Sequence, residues 1–195
     1  MIVNGSHLLF HCSQLVHGIG ISCKGRAFKT VVHQTSAAHV MTTNTFTDVF
    51  PNALHVRWDD NDNELLVRTR YSELYECYAK WMQLNVQRSD MARLLYLHAY
   101  GGIYADMDYK ITPQFKVELK RRDEHILIVR SPWLINEALQ NSLMISRYAN
   151  NVFYLDVARN IQTVFRFVNT GCTQSPACGL LRLFHSRITR NLVHI

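Results

Sequence analysis

The chain has 195 residues and a mass of 22.7 kDa, enough for one domain with a sizeable core and too little for two ordinary domains. Apolar residues make up 48% and charged residues 18%, which excludes collagen-like, coiled-coil and disordered chains. The net charge is +6, and the basic excess lies after residue 88, with 13 Lys and Arg against 8 Asp and Glu. Because no nucleic-acid-binding motif accompanies this charge, we expect no nucleic-acid partner. We expect the basic side chains to form a solvated face, with contact between some of the arginines and a diphosphate as the alternative.

The most hydrophobic segment, residues 8–21, is interrupted by polar residues and cannot cross a membrane. It lacks the basic start and the small-residue cleavage site of a signal peptide. Taken literally, the sequence therefore predicts a cytoplasmic protein without a transmembrane segment. A luminal catalytic domain of the Golgi or endoplasmic reticulum, separated from its anchor, would have the same sequence features and remains the alternative.

The five cysteines have neither C-x-x-C spacing nor a Cys/His metal spacing, which argues against a structural zinc site or a disulfide scaffold. We expect most of them to be buried thiols. Cys172 and Cys178 are close enough in sequence to pair in an oxidising compartment, and both the paired and the reduced state stay open.

The hydrophobic patterns predict elements in the following chain order. Residues 1–27 are weakly patterned and form a loop or a short peripheral element. Residues 28–33 and 54–58 are strands, since both are rich in β-branched or apolar residues next to polar clusters. The acidic segment 59–63 follows as a turn, and residues 64–81 have the periodicity of a helix.

The clearest helix covers residues 89–100, begins at the N-cap residue Ser89 and ends at Gly101-Gly102. A strand starts at Ile103. Further predicted elements are a strand at 125–130, a helix within 152–168, a helix at 179–187 and the start of a strand at 192–195. Strands that alternate with helices indicate a single α/β domain over residues 28–195, with a mostly parallel central sheet flanked by helices.

Residues 88–113 contain the candidate site. Asp90 and Arg93 are three residues apart and share a helix face. In the following strand, Tyr104, Asp106 and Asp108 alternate with apolar residues, so we expect all three to point to the same side. Two neighbouring carboxylates repel unless a cation neutralises them, and Mg²⁺ or Mn²⁺ prefers such oxygen ligands.

A second pair of acids, Asp60 and Asp62, lies in the Asn-rich segment 59–63. No strand end or neighbouring helix frames this pair, so we expect it to be solvated. Asp106 and Asp108, in contrast, lie at the predicted carboxyl end of a strand, where open α/β sheets bind ligands. The metal site is therefore assigned to Asp106 and Asp108.

The run D-x-x-R followed by G-G-x-Y-x-D-x-D resembles the DXD-motif sugar transferases. These include the fungal initiating mannosyltransferases and the capsular polysaccharide enzymes of the family 32 type and, more distantly, the glucosylating domains of large clostridial toxins. The motif residues are Asp90, Arg93, Gly101, Gly102, Tyr104, Asp106 and Asp108. The whole resemblance covers residues 28–172, and weaker similarities flank the central motif in the expected order. They lie at Val31-Val32-His33-Gln34-Thr35, Trp58-Asp59-Asp60, Asn141-Ser142-Leu143-Met144 and Asn169-Thr170-Gly171.

The resemblance implies a GT-A fold and a glycosyltransferase that uses a UDP-sugar or GDP-sugar with Mn²⁺ or Mg²⁺ and retains the anomeric configuration. The implied acceptor is a glycan, a glycoprotein or a glycolipid. In this pattern Asp106 contacts ribose and metal, and Asp108 ligates the metal. Asp90 and Arg93 hold the donor sugar.

The remaining site residues are also implied by the resemblance. Tyr104 supports the ribose or the metal shell, and Asn141 lies on the sugar or acceptor side. His33, Gln34 and Thr35 line the nucleotide pocket, although ordinary packing explains these flanking residues equally well.

One departure from the family concerns the C-terminal segment. Family members complete the metal site with a His or Asp ahead of a Gly-Ser-Trp-like end, and His185 and His194 match this poorly. Either the domain is minimal or the chain is truncated. In a minimal domain we expect water in place of the missing metal ligand, and slow hydrolysis of the sugar donor in competition with transfer. The alternative functions are a degenerate module that binds a nucleotide sugar without turnover and a DXD phosphohydrolase or nucleotidyltransferase.

Overall fold

The computed structural model describes residues 1–15, 20–36, 45–130 and 139–168, which form two β-sheets and the helices that pack on them. The strands are β1 (Ile2–Asn4), β2 (Cys12–Gln14), β3 (Ile21–Cys23), β4 (Arg26–Phe28), β5 (Val31–Thr35), β6 (Leu54–Trp58), β7 (Gly102–Ala105), β8 (Ile126–Arg130) and β9 (Leu139–Ser146). The helices are α1 (Gly5–His11), α2 (Thr45–Val49), α3 (Asp60–Arg70), α4 (Ser72–Glu76), α5 (Asn85–Tyr100), α6 (Pro113–Arg121) and α7 (Val152–Val168). A π-helical segment, Cys77–Trp81, follows α4.

The central sheet has six strands in the order β1-β6-β5-β7-β9-β8. Strands β1, β6, β5 and β7 run parallel, whereas β9 is antiparallel to both of its neighbours. The predicted α/β class with a mostly parallel sheet is confirmed. The four parallel strands end at the same side of the sheet, which we call the carboxyl edge.

Helices cover both faces of this sheet because side chains alternate along each strand. On β7, Tyr104 belongs to the apolar cluster beneath α1, α3, α5 and α7, whereas Ile103 and Ala105 belong to the cluster beneath α2 and α6. Helix α5 packs against β5, β7 and β9 and contributes Leu95 and Tyr96 to the core without exposure. A side chain on the α5 face of β7 therefore meets helix α5.

The N-terminal residues contribute more to the fold than their weak pattern predicts. Strand β1 pairs with β6 at the edge of the central sheet, and Leu8 of α1 is fully buried. Strands β2, β3 and β4 form a separate antiparallel sheet. The expectation of a loop or a peripheral element was wrong, because three-residue strands are too short to produce a clear alternation.

The acidic segment 59–63 is the start of α3 and not a solvated turn. The Asp59 carboxylate accepts from the Asp62 backbone N–H at 2.8 Å and caps the helix. The buried Asp62 carboxylate accepts from the N–H groups of Gly5 and Ser6 at 3.0 and 2.8 Å. Asp62 is thus a structural acid that fastens α1 to α3.

Three other predicted elements differ in extent. The helix expected at 64–81 is divided among α3, α4 and the π-helical segment. The strand expected at 28–33 is interrupted after β4 and continues as β5. Helix α5 begins four residues before Ser89, because the Gln87 side chain accepts from the Leu84 backbone N–H at 3.2 Å and satisfies the first turn.

The cysteine expectation also needs correction. Cys12 and Cys23 are opposite each other on β2 and β3 and form a disulfide, whereas Cys77 is a buried cysteine. The antiparallel pairing brings together two residues that are 11 positions apart in sequence. The proposed pair Cys172 and Cys178 lies outside the described residues, as do the elements expected after residue 168.

Strand β9 and helix α6 had no counterpart among the predicted elements, whereas α2 lies in the segment between the first two predicted strands, for which helix and loop were both left open. Helix α7, by contrast, matches its predicted range from Val152 to Val168. Over the part of the chain that the structure describes, none of the helices has both the length and the apolar character needed to cross a membrane.

A buried histidine connects the sheet to the end of α5. His33 on β5 has no exposed surface; its Nδ1 accepts from the Trp58 indole N–H at 3.1 Å, and its Nε2–H donates to the Gly101 carbonyl at 2.9 Å. The Tyr96 ring stacks on both, at 4.3 Å from Trp58 and 5.6 Å from His33. Both hydrogen bonds require the neutral imidazole, and burial lowers the pKa of His33 to about 4.

We expect this histidine to make the fold sensitive to acid. The unfolded chain binds the proton at the ordinary pKa of 6.5 and the folded chain only near 4, so stability is complete above pH 6.5 and decreases as the pH falls towards 4. The loss should be on the order of 3 kcal/mol. Urea unfolding across this range should give a weaker pH dependence for His33→Gln, which keeps a donor and an acceptor but no titrating group.

The matched control is His125→Gln, which alters an exposed histidine and should leave the pH dependence unchanged. Equal pH profiles for the wild type and His33→Gln would contradict the assignment.

Candidate active site

The turn between α5 and β7 sets the geometry of the site. Gly101 and Gly102 have φ angles of 64° and 94°, which favour glycine, and a Cβ on Gly102 would collide with the Val31 backbone. Because of this turn, α5 runs back along β7. The eight residues of helix from Arg93 to Gly101 span about 12 Å, and the four residues of strand from Gly102 to Asp106 span about 13 Å. Arg93 and Asp106 therefore meet at the carboxyl edge.

Arg93 joins two carboxylates. Its side chain is 8% exposed and lies with Nη2 at 3.2 Å from Oδ1 of Asp90 and Nη1 at 3.1 Å from Oδ1 of Asp106. It also donates to the backbone carbonyls of Ser89 and Asn141, at 3.3 and 3.1 Å. The planar guanidinium thus has a partner for each of its nitrogens and holds the helix, the strand end and β9 together.

Tyr104 fixes the orientation of Asp106. The Tyr104 hydroxyl donates to Oδ1 of Asp106 at 2.6 Å, and its ring lies 4.7 Å below the Arg93 guanidinium carbon. Burial raises the pKa of Tyr104 well above its ordinary value, so the hydroxyl keeps its proton and acts as a donor. Both of these contacts to Asp106 use Oδ1, and neither involves Oδ2.

Asp108 does not continue the strand as predicted. Strand β7 ends at Ala105, and the Tyr109 N–H donates to the Asp106 carbonyl at 3.0 Å, which closes a turn. The expected common side therefore holds for Tyr104 and Asp106 and was wrong for Asp108. This residue is exposed in the turn directly after Asp106.

Asn141 completes the network from β9. Its amide Nδ2 donates to Oδ1 of Asp90 at 2.9 Å. Burial raises the pKa of Asp90, while the positive charge of Arg93 and the hydrogen bond from Asn141 act in the opposite direction. Asn141 and Asp90 are 51 positions apart in sequence, so the fold brings together two of the residues singled out by the motif analysis.

The three residues at the end of β5 differ in exposure. His33 and Gln34 are fully buried, whereas Thr35 is partly exposed at the carboxyl edge. The Thr35 hydroxyl donates to the Trp58 carbonyl at 3.2 Å. Of these three, Thr35 is therefore the side chain within reach of a ligand, and His33 and Gln34 lie beneath it.

The donor set at the carboxyl edge suits a hard divalent cation. Asp106 and Asp108 lie two residues apart in the turn after β7 and both carry carboxylate oxygens, and Mg²⁺ is typically held by one or two carboxylates together with phosphate oxygens and water. Among the residues that the structure describes, a third His, Cys, Asp or Glu does not complete a compact three-ligand group with them. The C-terminal candidates His185 and His194 lie outside those residues. The chain thus fits such an ion with two protein ligands.

Ser142 is a site residue that the motif analysis did not select. The Asp106 N–H donates to the Ser142 carbonyl at 2.8 Å, next to the pair Ala105 and Leu143 in the β7 and β9 register. The Ser142 hydroxyl is buried and has no hydrogen-bond partner within residues 1–15, 20–36, 45–130 and 139–168. The signal was its place in the segment Asn141-Ser142-Leu143-Met144, but strand β9 itself was not predicted.

The structure is similar to a solved one described as "PaToxG Glycosyltransferase". The TM-score is 0.54 at 14% sequence identity, and the match covers 82% of this chain and 70% of the other. At this identity the similarity shows a shared fold, which is of the GT-A-like type. No curated protein sequence matches the chain significantly.

A family model matches residues 29–127, just over half of the chain. Its description is "Glycosyltransferase sugar-binding region containing DXD motif". The matched range contains α5, the Gly101-Gly102 turn and both Asp106 and Asp108. The chain therefore belongs to the family of glycosyltransferase sugar-binding regions that contain a DXD motif.

Proposed function

We propose that this chain is a metal-dependent glycosyltransferase of the fungal mannosyltransferase and capsular polysaccharide type. It transfers a sugar from a UDP-sugar or GDP-sugar to a glycan, glycoprotein or glycolipid acceptor, with retention of configuration. The observation that carries the proposal is the position of Arg93 between Asp90 and Asp106 at the carboxyl edge. This contact leaves Oδ2 of Asp106 and the exposed Asp108 available to bind a cation, and the cation would in turn bind the diphosphate.

Asp106 and Asp108 would hold Mn²⁺ or Mg²⁺. Such an ion supplies positive charge that stabilises the negative charge developing on the diphosphate when the sugar bond breaks. Asp106 is also within reach of the ribose, because Tyr104 and Arg93 orient its carboxylate from the protein side through Oδ1. The two aspartates therefore act together at the diphosphate end of the donor.

The donor sugar lies beside Asp90, Arg93 and Asn141 in this proposal. Asp90 receives both Arg93 and Asn141 on Oδ1, so its Oδ2 can accept a hydrogen bond from a sugar hydroxyl. Arg93 adds positive charge near the departing phosphate. Asn141 keeps Asp90 in place across the gap between α5 and β9.

The nucleotide lies over the end of β5. Thr35 is partly exposed there, and the buried Ser142 hydroxyl on β9 offers a further polar contact. His33 and Gln34 support this wall from below without touching the ligand, and His33 does so by holding the Gly101 carbonyl. These two are positioning residues in this proposal.

A binding module without turnover is the second candidate. It is favoured by the two-ligand donor set, since within the described residues the carboxyl edge lacks a third compact ligand. A phosphohydrolase or nucleotidyltransferase, in contrast, usually gathers more acids around its metals. Assays of donor hydrolysis and of transfer to an acceptor, with and without Mn²⁺, distinguish the three functions. Transfer supports the main proposal, hydrolysis alone the third function, and binding alone the second.

We expect nucleotide binding to depend on the metal through Asp108. In calorimetric titrations with UDP and GDP, Asp108→Asn should abolish the gain in affinity that Mn²⁺ gives to the wild type, because an amide keeps the shape but removes the charge. The fold should be unaffected, since Asp108 is exposed in a turn. EDTA should have the same effect on the wild type as the substitution.

The matched control is Asp123→Asn, an exposed aspartate after α6 that should bind nucleotide like the wild type. If affinity is equal in Mn²⁺ and EDTA, or if Asp108→Asn behaves like the control, the metal assignment is refuted.

Replacing Arg93 by Lys should impair both stability and donor binding. A point charge cannot reach Asp90, Asp106 and two carbonyls simultaneously, so buried acceptors lose partners. We expect the free energy of unfolding to fall by about 1–3 kcal/mol. Nucleotide-sugar affinity should decrease at a temperature where the variant is still folded.

Arg70→Lys serves as the control, because Arg70 is exposed and lies over the Tyr100 ring at 4.9 Å, away from the carboxyl edge. If a folded Arg93→Lys variant binds the donor with wild-type affinity, Arg93 forms a structural ion pair and does not contribute to donor binding.

A further inference from the structure

His7, Cys12 and Cys23 form a compact group that the proposed glycosyl transfer does not use. We call them the N-terminal cluster. Their ligand atoms, one imidazole nitrogen and two sulfurs, all lie within 4.8 Å of one another. Helix α1 supplies His7, while Cys12 and Cys23 are direct partners on β2 and β3 and are joined as a disulfide.

The disulfide between Cys12 and Cys23 does not explain the environment of the His7 side chain. The Nε2 atom of His7 is buried, and no partner for it is found in the described part of the chain. A buried imidazole nitrogen without a hydrogen bond is costly. One nitrogen of this ring lies within 4.8 Å of both sulfurs. A metal ion bound at Nε2 would satisfy that nitrogen.

The chemistry of the N-terminal cluster is that of zinc ligands. Zn²⁺ binds thiolate sulfur and imidazole nitrogen with tetrahedral geometry, and Cys₂His₂ is a common structural set. His11 lies one helical turn after His7, with ring centroids 4.9 Å apart, but it does not belong to the compact group, so it would have to turn towards the sulfurs to supply a fourth ligand.

We propose that the N-terminal cluster is a redox-dependent Zn²⁺ site. In the oxidised chain Cys12 and Cys23 are joined. A reductant of the dithiol class gives two electrons and two protons to this bond, which yields two thiols and an oxidised dithiol. Zn²⁺ then binds His7 and both sulfurs, with His11 or water in the fourth position, and the two thiol protons pass to solvent.

Among the described residues, the N-terminal cluster shares no member with the Arg93 network. Helix α1 follows β1 at the carboxyl edge, and β4 leads into the opposite end of β5. Gln14 of β2 donates to the Ala99 carbonyl and ties the small sheet to the end of α5. A metal ion there would fasten α1 to the small sheet, a structural role that needs no part of the DXD network.

Cobalt titration tests the proposal on the full chain. The protein is reduced with a dithiol, desalted without oxygen and titrated with Co²⁺. The reduced chain should bind one Co²⁺, with the absorption of tetrahedral thiolate coordination, and Zn²⁺ should displace it. The oxidised chain should give no such spectrum. Equal spectra before and after reduction, or a spectrum without thiolate charge transfer, would overturn the proposal.

Variants identify the ligands. His7→Gln leaves the disulfide untouched and should weaken Zn²⁺ binding by reduced protein at least about tenfold, or about 1.4 kcal/mol. His125→Gln, which alters an exposed histidine at the far end of the sheet, should bind Zn²⁺ like the wild type. The double variant Cys172→Ser and Cys178→Ser should also retain the site. Loss of binding in that double variant, or none in His7→Gln, would overturn the assignment.

Discussion

The Arg93 guanidinium between two aspartates is the interaction on which the candidate site depends. Asp90 and Asp106 come from different elements, and without a cation between them their repulsion would separate α5 from the end of β7. Removing such charges from water is costly, and Arg93 is 8% exposed while Asp106 is 33% exposed. The network offsets this cost through the backbone carbonyls of Ser89 and Asn141 and the ring of Tyr104. Arg93 thus fixes the Asp106 carboxylate in one orientation at the carboxyl edge.

The spacing of the motif explains why this part of the fold and site could be predicted from the sequence. A helix that ends in two glycines can turn sharply. The length of α5 from Arg93 to this turn, about 12 Å, is close to the length of chain from the turn to Asp106, about 13 Å. The contacts between Asp90, Arg93, Tyr104 and Asp106 are therefore local in the chain, and helical and strand periodicity predict them. The strand alternation does not extend to Asp108, because a turn follows the strand in which the Tyr109 N–H donates to the Asp106 carbonyl.

Other parts of the structure depend on contacts that the local pattern does not contain. Asn141 reaches Asp90 because β9 is irregular: Ile128 of β8 pairs with Met144, and the next residue, Val129, pairs with Gln140. Such a bulge redirects side chains next to a site and has no signature in composition. Asp60 is exposed as expected, whereas the burial of Asp62 was not predicted, since partners of Asp62 lie on α1, 57 positions away for Gly5.

The carboxyl edge and the N-terminal cluster offer opposite coordination chemistry, so each would select a different class of ion. Asp106 and Asp108 present oxygen, which suits Mg²⁺ and Mn²⁺, whereas the N-terminal cluster presents nitrogen and sulfur, for which Zn²⁺ is preferred. Because affinity at a given site rises from Mn²⁺ towards Zn²⁺, the type and geometry of the ligands, rather than affinity alone, decide which ion each group of residues would hold. In the oxidised chain the disulfide occupies both sulfurs, so the N-terminal cluster would hold no ion in that state.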